Sequence, residues 1–361
     1  MVLIGACFFN NEQSYRNGSN TTQKKCKIHN SPHFLYHTAN LIFFQEIIRN
    51  FNHIFYVTKK RLLCTLRQYN QPVSKGVEMA VKILKKESLI PGRTSRLVLE
   101  APHIAETAKP GHFIILRINE KGERFPLTIA DTDKKNGTIT IVYLVMGTST
   151  TLLENLQEGD EIMDVCGPLG RPTHIVNGGK SHKVICVGGG TGVAAMHHIA
   201  KGHSSAGNYV IAVIGARSKD LLLYYDELSK FCDEVLVATN DGSMGIQGMV
   251  TDPLIERLKS DNDIKEVVAI GPVPMMEAIA KLTKEYSVPT TVSLNSLMVD
   301  GMGMCGACRV TVGGETKFTC VDGPEFDGHK VDFNELKIRL SSFRDKEAQS
   351  IEHHKCQCGA H

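Results

Sequence analysis

Residues 183–202, KVICVGGGTGVAAMHHIAKG, restrict the possible folds more than any other stretch of the chain. Apolar residues run from Val184 to Val187 and lead directly into Gly188, Gly189, Gly190, Thr191 and Gly192, after which helix-forming residues begin. Strand, glycine turn and helix in that order open a parallel α/β unit. The glycines would let the backbone approach a phosphate, and the helix N-terminus would point N–H donors at it. Such a loop can also be a plain structural turn, but its position between strand and helix favours nucleotide binding. YVIAVIGARSKDLLLYYDEL, EVLVATNDG and EVVAIGPVPMMEAIAKLTKEY repeat the alternation, so residues 181–290 are expected to form one α/β domain that binds NAD(H). Gly271 and Pro272, in AIGPVPMM, would lie at the carboxyl edge of that sheet, where ligands bind. Arg217 after the second strand would suit a 2′-phosphate, whereas Asp226 and Glu227 would accept from a ribose hydroxyl. The reading leans to NAD(H).

Residues 79–180 have a different pattern. Short alternating stretches such as TSRLVLEAP and KNGTITIVYLVMG are separated by Pro-Gly, Asn-Gly and Glu-Gly-Asp turns, which predicts an antiparallel barrel. Two of its loops carry groups that would suit a dinucleotide. RFPLT supplies Arg124, Pro126, Leu127 and Thr128; GTSTTLL supplies Gly147, Thr148, Ser149 and Thr150 at a turn before a helix. A guanidinium and a row of backbone N–H groups would hold a pyrophosphate.

The third unit, residues 291–345, carries MVDGMGMCGACRV at 298–310. Cys305 and Cys308 are two residues apart and Cys320 follows a short strand later. A plant-type 2Fe-2S loop is spaced C-x4-C-x2-C…C. The first position of that spacing is occupied here by Asp300, whose carboxylate can ligate iron. Three thiolates are too few for a four-cysteine zinc site without a recruited fourth ligand. A surface acid beside a redox-silent loop stays open as the bland alternative. Residues 346–361 form a polar tail ending HHKCQCGAH, rich in ligand-type residues but without an evident scaffold.

Charge and cysteine usage bound the rest. Residues 1–78 carry a net charge of +7 and the remainder −4, so the body has no nucleic-acid footprint. Eleven unevenly spread cysteines argue against a secreted disulfide framework, and no apolar run is long enough for a membrane helix. A cytoplasmic protein is expected. Residues 1–78 hold 11 of the 23 aromatics, and the stretch KGVEM before Met79 back-translates to a ribosome-binding sequence ahead of a start codon. The extension is of doubtful authenticity, with Met79 the expected native start.

Taken together, RFPLTIAD, GGGTGVAA, GARSKDLLL, AIGPVPMM and MVDGMGMCGACRVTVGGETKFTCVDGPEFDGHKVDF resemble the ferredoxin-reductase-type flavoproteins. Within them they are similar to the dihydroorotate dehydrogenase electron-transfer subunit family and its branch of NADH-dependent ferredoxin:NADP oxidoreductase small subunits. The resemblance implies a β-barrel FAD domain, a Rossmann-like NAD domain and a small C-terminal 2Fe-2S domain. It implies FAD on Arg124, Thr128 and Gly147–Thr150, and a cluster on Asp300, Cys305, Cys308 and Cys320. It also implies a larger partner resembling glutamate synthase small subunits, with its own FAD, 4Fe-4S clusters and an indirect link to ferredoxin. The alternatives are a dihydroorotate dehydrogenase catalytic subunit as partner, or a redox-silent regulatory module. Two departures stand out. The wider group carries R-x-Y-S, whereas Arg124 is one position early and no tyrosine follows. Dihydroorotate-type subunits supply four cysteines, whereas aspartate stands first here, which favours the ferredoxin:NADP oxidoreductase branch.

Overall fold

The computed structural model describes residues 80–358, with side chains to residue 352. The extension, the expected start at Met79, and the histidines and cysteines of the tail lie outside the described residues or side chains.

Seven strands build the first layer: β1 (Val81–Ile90), β2 (Thr94–Glu100), β3 (Phe113–Arg117), β4 (Phe125–Asp133), β5 (Thr138–Leu144), β6 (Glu161–Ile162) and β7 (Asp164–Leu169). Helices α1 (Pro102–Thr107) and α2 (Thr148–Asn155) fill two of the connections. The strand order is β6-β1-β2-β5-β4-β3-β7, antiparallel throughout. Alternation drives this arrangement, because successive side chains point to opposite faces. Leu97 opposes Ile141 and Leu99 opposes Ile139 in register, and all four are fully buried. With Ile83, Ile114, Leu116 and Ile129 they form the barrel core.

The second layer runs β8 (Lys183–Gly189), α3 (Gly192–Ser205), β9 (Tyr209–Ala216), α4 (Tyr225–Leu228), β10 (Glu234–Thr239), β11 (Ile246–Gln247), α5 (Thr251–Ser260), β12 (Ile264–Ile270), α6 (Val273–Glu285) and β13 (Thr290–Ser293). Its sheet order is β11-β10-β9-β8-β12-β13, all parallel. The chain moves outward from β8 through β9 and β10, then crosses to β12 on the other side of β8. The strand order therefore reverses between β8 and β12, which opens a crevice at their carboxyl ends.

The C-terminal unit contains β14 (Arg309–Val312), β15 (Glu315–Phe318), α7 (Thr319–Asp322), β16 (Glu325–Asp327), α8 (Phe333–Ser341) and α9 (Arg344–Cys358). It is woven into the parallel sheet, since β16 pairs antiparallel with β13 as the edge strand. The boundary expected at residue 290 thus falls inside β13. A helix, α9, stands where composition suggested an unstructured tail. Its residues are good helix formers, and the Ser350 hydroxyl meets that of Thr148 at 3.1 Å. Asp332 caps α8 by accepting from the N–H groups of Asn334 and Glu335 at 3.0 and 2.9 Å.

The barrel and the parallel sheet share a core: Ala130 and Val142 from the barrel pack with Ala194, Ala195 and Met196 of α3. His198 ties the two further by donating from Nδ1 to the Ile129 carbonyl at 3.0 Å. The cysteine loop docks on the barrel separately, through Phe113 and Ile115 of β3 against Met298, Cys308 and Cys320. Gly301 makes this approach possible. Its φ is +72°, and a Cβ there would lie 2.7 Å from both Ile115 Cδ1 and Leu169 Cδ1. Gly301→Ala is expected to cost about 1–3 kcal/mol, from left-handed strain plus overpacking. A thermal melt checks this, with an unchanged midpoint counting against the tight docking.

Candidate functional site

The crevice between β8 and β12 continues into a cleft of about 760 Å³ walled by the barrel, the parallel sheet and the cysteine loop. From the barrel come Pro126, Leu127 and Thr128 of β4; from the glycine loop, Gly189, Gly190, Thr191 and Gly192. Gly271 and Pro272 after β12 and Arg217 after β9 complete the sequence-expected set in the lining. Leu294 and Met298 bring the cleft to the foot of the cysteine loop, and Pro324 borders it after α7.

Close approach explains the glycines. A Cβ at Gly192 would sit 2.5 Å from the Ile270 carbonyl oxygen and 2.9 Å from Gly271 Cα, so only glycine lets α3 start against the end of β12. Gly188 lies behind the lining, where a Cβ would meet Val193 Cα at 3.0 Å. Gly190 takes φ +56° with open space beside it. Thr191 precedes α3 without a side-chain capping bond. The first turn of this 14-residue helix has no side-chain cap; the Val193 and Ala194 N–H groups donate instead to the Gly190 and Thr191 carbonyls at 3.2 and 3.1 Å, and the turn lies at the cleft lining. Such a terminus attracts anionic groups.

The remaining expected residues lie elsewhere. Arg124 is exposed and 3.7 Å from Asp164 Oδ2, an oxygen held more closely by Arg117 at 2.6 Å. Gly147 precedes α2, and the Thr150 hydroxyl accepts from the N–H groups of Met146 and Gly147 at 3.0 and 3.1 Å. The Ser149 hydroxyl donates to Glu123 Oε2 at 3.4 Å. None of Arg124 or Gly147–Thr150 lines the cleft, although Leu144 of β5, just before that turn, does. Glu227 lies 3.5 Å from Arg96 beside a separate cavity, and Asp226 is exposed, so neither stands at the cleft as a ribose acceptor. Sequence reasoning missed Arg93 and Asn240, both in the lining. Arg93 follows the Pro-Gly turn between β1 and β2, a basic residue whose neighbours in space only the fold reveals.

At the cysteine loop the four expected donors form two pairs. Cys308 and Cys320 are buried with their sulfurs 3.1 Å apart, and Thr319 joins the two segments by donating to the Cys308 carbonyl from N at 3.1 Å and Oγ1 at 2.9 Å. Burial first, then the Cys308 thiol, raise the Cys320 thiol above its ordinary value, and the Asp300 charge adds to the rise. The second pair is Asp300 and the exposed Cys305, whose N–H donates to Asp300 Oδ2 at 2.7 Å. Met302 and Met304 donate to the same carboxylate at 3.0 and 2.9 Å. Burial pushes the Asp300 carboxyl up, but these N–H donors outweigh it and hold the group below the usual carboxylate range. Among the described residues no three His, Cys, Asp or Glu side chains converge on one point that would hold a single metal ion. A two-and-two donor set, with glycines at 301, 303 and 306 all at positive φ, fits a two-iron centre better than a tetrahedral single ion.

Comparison with known proteins agrees with this geometry. Residues 295–332 match the family described as the iron-sulfur cluster binding domain of dihydroorotate dehydrogenase B. A Thermotoga maritima protein named as a homolog of the dihydroorotate dehydrogenase B (NAD(+)) electron transfer subunit is 47% identical over 254 residues, 70% of this chain and 88% of its own. The electron transfer subunit from Fusobacterium nucleatum is 34% identical over 240 residues, 64% of this chain and 90% of its own. A solved structure of an NADH-dependent reduced ferredoxin-NADP oxidoreductase superposes with a TM-score of 0.71 at 43% identity, covering 78% of this chain and 99% of that one. The barrel, the parallel sheet and the C-terminal loop thus form the ferredoxin-reductase fold with an appended iron–sulfur-binding domain, as the sequence led us to expect. The chain belongs to the dihydroorotate dehydrogenase B electron-transfer subunit family and is a ferredoxin-reductase-like oxidoreductase subunit.

Proposed function

We propose that the chain passes electrons between NAD(H), FAD and a 2Fe-2S cluster, and on to a larger flavoprotein partner. The observation that carries this reading is the single cleft bounded by β4, the glycine loop and the foot of the cysteine loop. Thr128 and its neighbours Pro126 and Leu127 would hold the flavin ring against the barrel, with Arg124 and Gly147–Thr150 toward its phosphates. The glycine loop Gly188–Gly192 leading into α3 would take the nicotinamide cofactor's pyrophosphate, with Arg217 toward its adenosine half and Gly271–Pro272 beside the nicotinamide. Bound flavin would supply the exchange between hydride and single-electron chemistry. The chain needs no acid–base pair for this; its groups bind, orient and exclude water. Asp300 with Cys305, and Cys308 with Cys320, would hold the two irons.

Two observations favour the ferredoxin:NADP oxidoreductase branch as the context, and a third supports docking of a protein partner in either branch. Aspartate occupies the first ligand position, and the solved neighbour of that activity is matched over 99% of its length. The loop also presents Val299, Met302 and Met304 at 53%, 60% and 82% exposure around Cys305, an apolar rim suited to a protein partner. The partner in this reading is a larger FAD and 4Fe-4S subunit resembling glutamate synthase, linked through it to ferredoxin. The family names favour the second reading, a dihydroorotate dehydrogenase catalytic subunit. Anaerobic purification from the native host decides among them. The expected protein is coloured, with flavin and iron–sulfur absorbance, and brings down the glutamate-synthase-like subunit. Recovery of a dihydroorotate dehydrogenase catalytic subunit would select the second reading, and colourless protein would reject both in favour of a redox-silent module. Among the described residues no helix is long and apolar enough to cross a membrane.

A further inference from the structure

Two arginines that the proposed electron path does not use reach the short link between the exposed Cys305 and the buried Cys308. Arg309 donates from Nη1 to the Gly306 carbonyl at 3.1 Å. The N–H of that same peptide, at Ala307, donates to Cys305 Sγ at 3.5 Å. Guanidinium, peptide and sulfur thus form one chain of donors and acceptors. Arg339 comes from α8, 32 residues further on, and its Nη2 donates to the Ala307 carbonyl at 2.9 Å. The Cys308 carbonyl is taken by Thr319. Each carbonyl from residue 306 to 308 is therefore engaged by a side-chain donor.

Helix α8 fixes where Arg339 reaches. Phe333 and Leu336 are buried in the sheet core together with Val310 of β14. Leu336 and Arg339 are three residues apart and share a helix face, which brings the guanidinium to the cysteine loop. Neither arginine is neutralised. Among the described residues Arg96, Arg117, Arg124, Arg171 and Arg257 each pair with a carboxylate, whereas Arg309 and Arg339 form no ion pair. The acids of the loop and of α8 are engaged by backbone. Glu335 accepts from the Thr311 N–H at 3.2 Å, and Asp300 accepts from three N–H groups of its own loop. Arg339 is half-buried and Arg309 exposed. A guanidinium stays protonated at every working pH, so two fixed positive charges stand at the link. A cation on a peptide carbonyl also polarises the N–H at the other end of that peptide. Hydrogen bonds to the sulfurs are one of the factors that set the potential of an iron–sulfur centre.

We propose that Arg309 and Arg339 are positioning residues that favour the reduced state of the centre held by Asp300, Cys305, Cys308 and Cys320. One electron enters and makes the centre more negative by one unit, while no bond or proton changes at either arginine. The fixed charges therefore attract the reduced centre more strongly than the oxidised one. Arg309 acts through the Gly306–Ala307 peptide on Cys305 Sγ, and Arg339 through the next peptide, which leads into Cys308. A unit charge ~10 Å away at an effective dielectric of ~20 favours the added electron about tenfold, equivalent to ~59 mV for a one-electron couple. Salt screens the exposed Arg309 more than the half-buried Arg339, so Arg339 contributes the larger share. This inference rests on the functional reading above.

The test is an EPR-monitored redox titration of the anaerobically purified holoprotein at low and at high salt. Arg339→Gln keeps an N–H donor but removes the charge, so the midpoint of the iron–sulfur signal should fall by ~59 mV, a tenfold weaker hold on the electron. Arg309→Gln should move it in the same direction by less, and its difference from wild type should shrink at high salt. Arg339→Lys keeps the charge without the planar fork, and its midpoint should stay close to wild type. A purely structural role would make the lysine and glutamine variants equally disruptive. Equal shifts in Arg339→Lys and Arg339→Gln, or unchanged midpoints in both glutamine variants, would overturn the proposal. The ratio of iron–sulfur to flavin absorbance reports whether each variant has loaded its centre. If Arg339→Gln does not load, the exposed Arg309 decides: an Arg309→Gln midpoint equal to wild type at low salt would overturn the proposal. Absence of any iron–sulfur signal from flavin-loaded wild-type protein would overturn the functional reading itself, and this proposal with it.

Discussion

Cys308→Ala and Cys320→Ala are each expected to abolish the iron–sulfur absorbance while leaving the flavin bound and reducible by NADH. Both thiols are buried at 1% exposure against Phe113 and Ile115, so a methyl group in place of sulfur keeps most of the packing. What each variant loses is one of the four expected donors, and with it one of the two buried thiols. Electron delivery to the partner subunit is expected to fall at least ~100-fold, on the scale of losing a metal ligand rather than its support. The flavin lies at β4, on the far side of the cleft in our reading, so its reduction by NADH should stay within a factor of about two. Optical spectra and stopped-flow reduction measure the two effects separately. Survival of the cluster in both variants would remove the pair from the ligand set. Asp300 provides the contrast. Its carboxylate satisfies three loop N–H groups, so Asp300→Ala should loosen the loop as well as the centre. Asp300→Cys should keep a cluster with an altered EPR signal, and an unchanged signal in both variants would argue that Asp300 is not a ligand.

Gly192→Val should suppress flavin reduction by NADH about 100-fold, the scale of a misplacement of roughly 1 Å at a reacting centre. The added Cβ would stand 2.5 Å from the Ile270 carbonyl oxygen, a backbone atom that cannot rotate away. Relief requires α3 to move back from β12, which opens the crevice where the pyrophosphate would sit. An accompanying stability loss of about 1–3 kcal/mol is expected from the overpacking. Gly190→Ala is the control. Its Cβ meets nothing within 4 Å, and only its φ of +56° is unfavourable. It should cost about 1 kcal/mol of stability with a much smaller effect on NADH. Equal losses in the two variants would mean that close approach of α3 and β12 is not what the loop requires. Stopped-flow reduction with NADH, together with thermal melts, distinguishes the outcomes.

The local signals that proved readable were those with a fixed period or spacing. Alternation in TSRLVLE and TITIVYL marked them as strands, because a strand turns its side chains every two residues; the observed register then puts Leu97, Leu99, Ile139 and Ile141 together in the barrel core. The run KVICVGGGTG marked strand, turn and helix because glycine alone suits both the positive φ at Gly190 and the contact at Gly192. The spacing from Asp300 to Cys308 belongs to a single loop, so sequence distance and spatial distance nearly coincide there. Contacts formed across the fold were not readable. Arg93 and Asn240 reach the cleft from elements 147 residues apart. Glu227 satisfied the sequence rule for a ribose acceptor, but Arg96 of the barrel draws it to another cavity.

By itself the sequence determined the three kinds of unit, the order in which they follow one another, the glycine loop and the spacing of Asp300, Cys305 and Cys308 within the cysteine loop. Each of these depends on backbone geometry or spacing within a few residues of itself. The tertiary structure alone decided that β16 would complete the parallel sheet, that Phe113 would carry the thiol pair to the barrel, and that Glu325 would face Thr173. Those pairings join residues 32 to 207 positions apart, through apolar contacts and hydrogen bonds that no local pattern encodes. They exist because apolar groups such as Phe113, Cys308 and Cys320, and a buried carboxyl such as Glu325, are satisfied only by partners that the folded chain brings together.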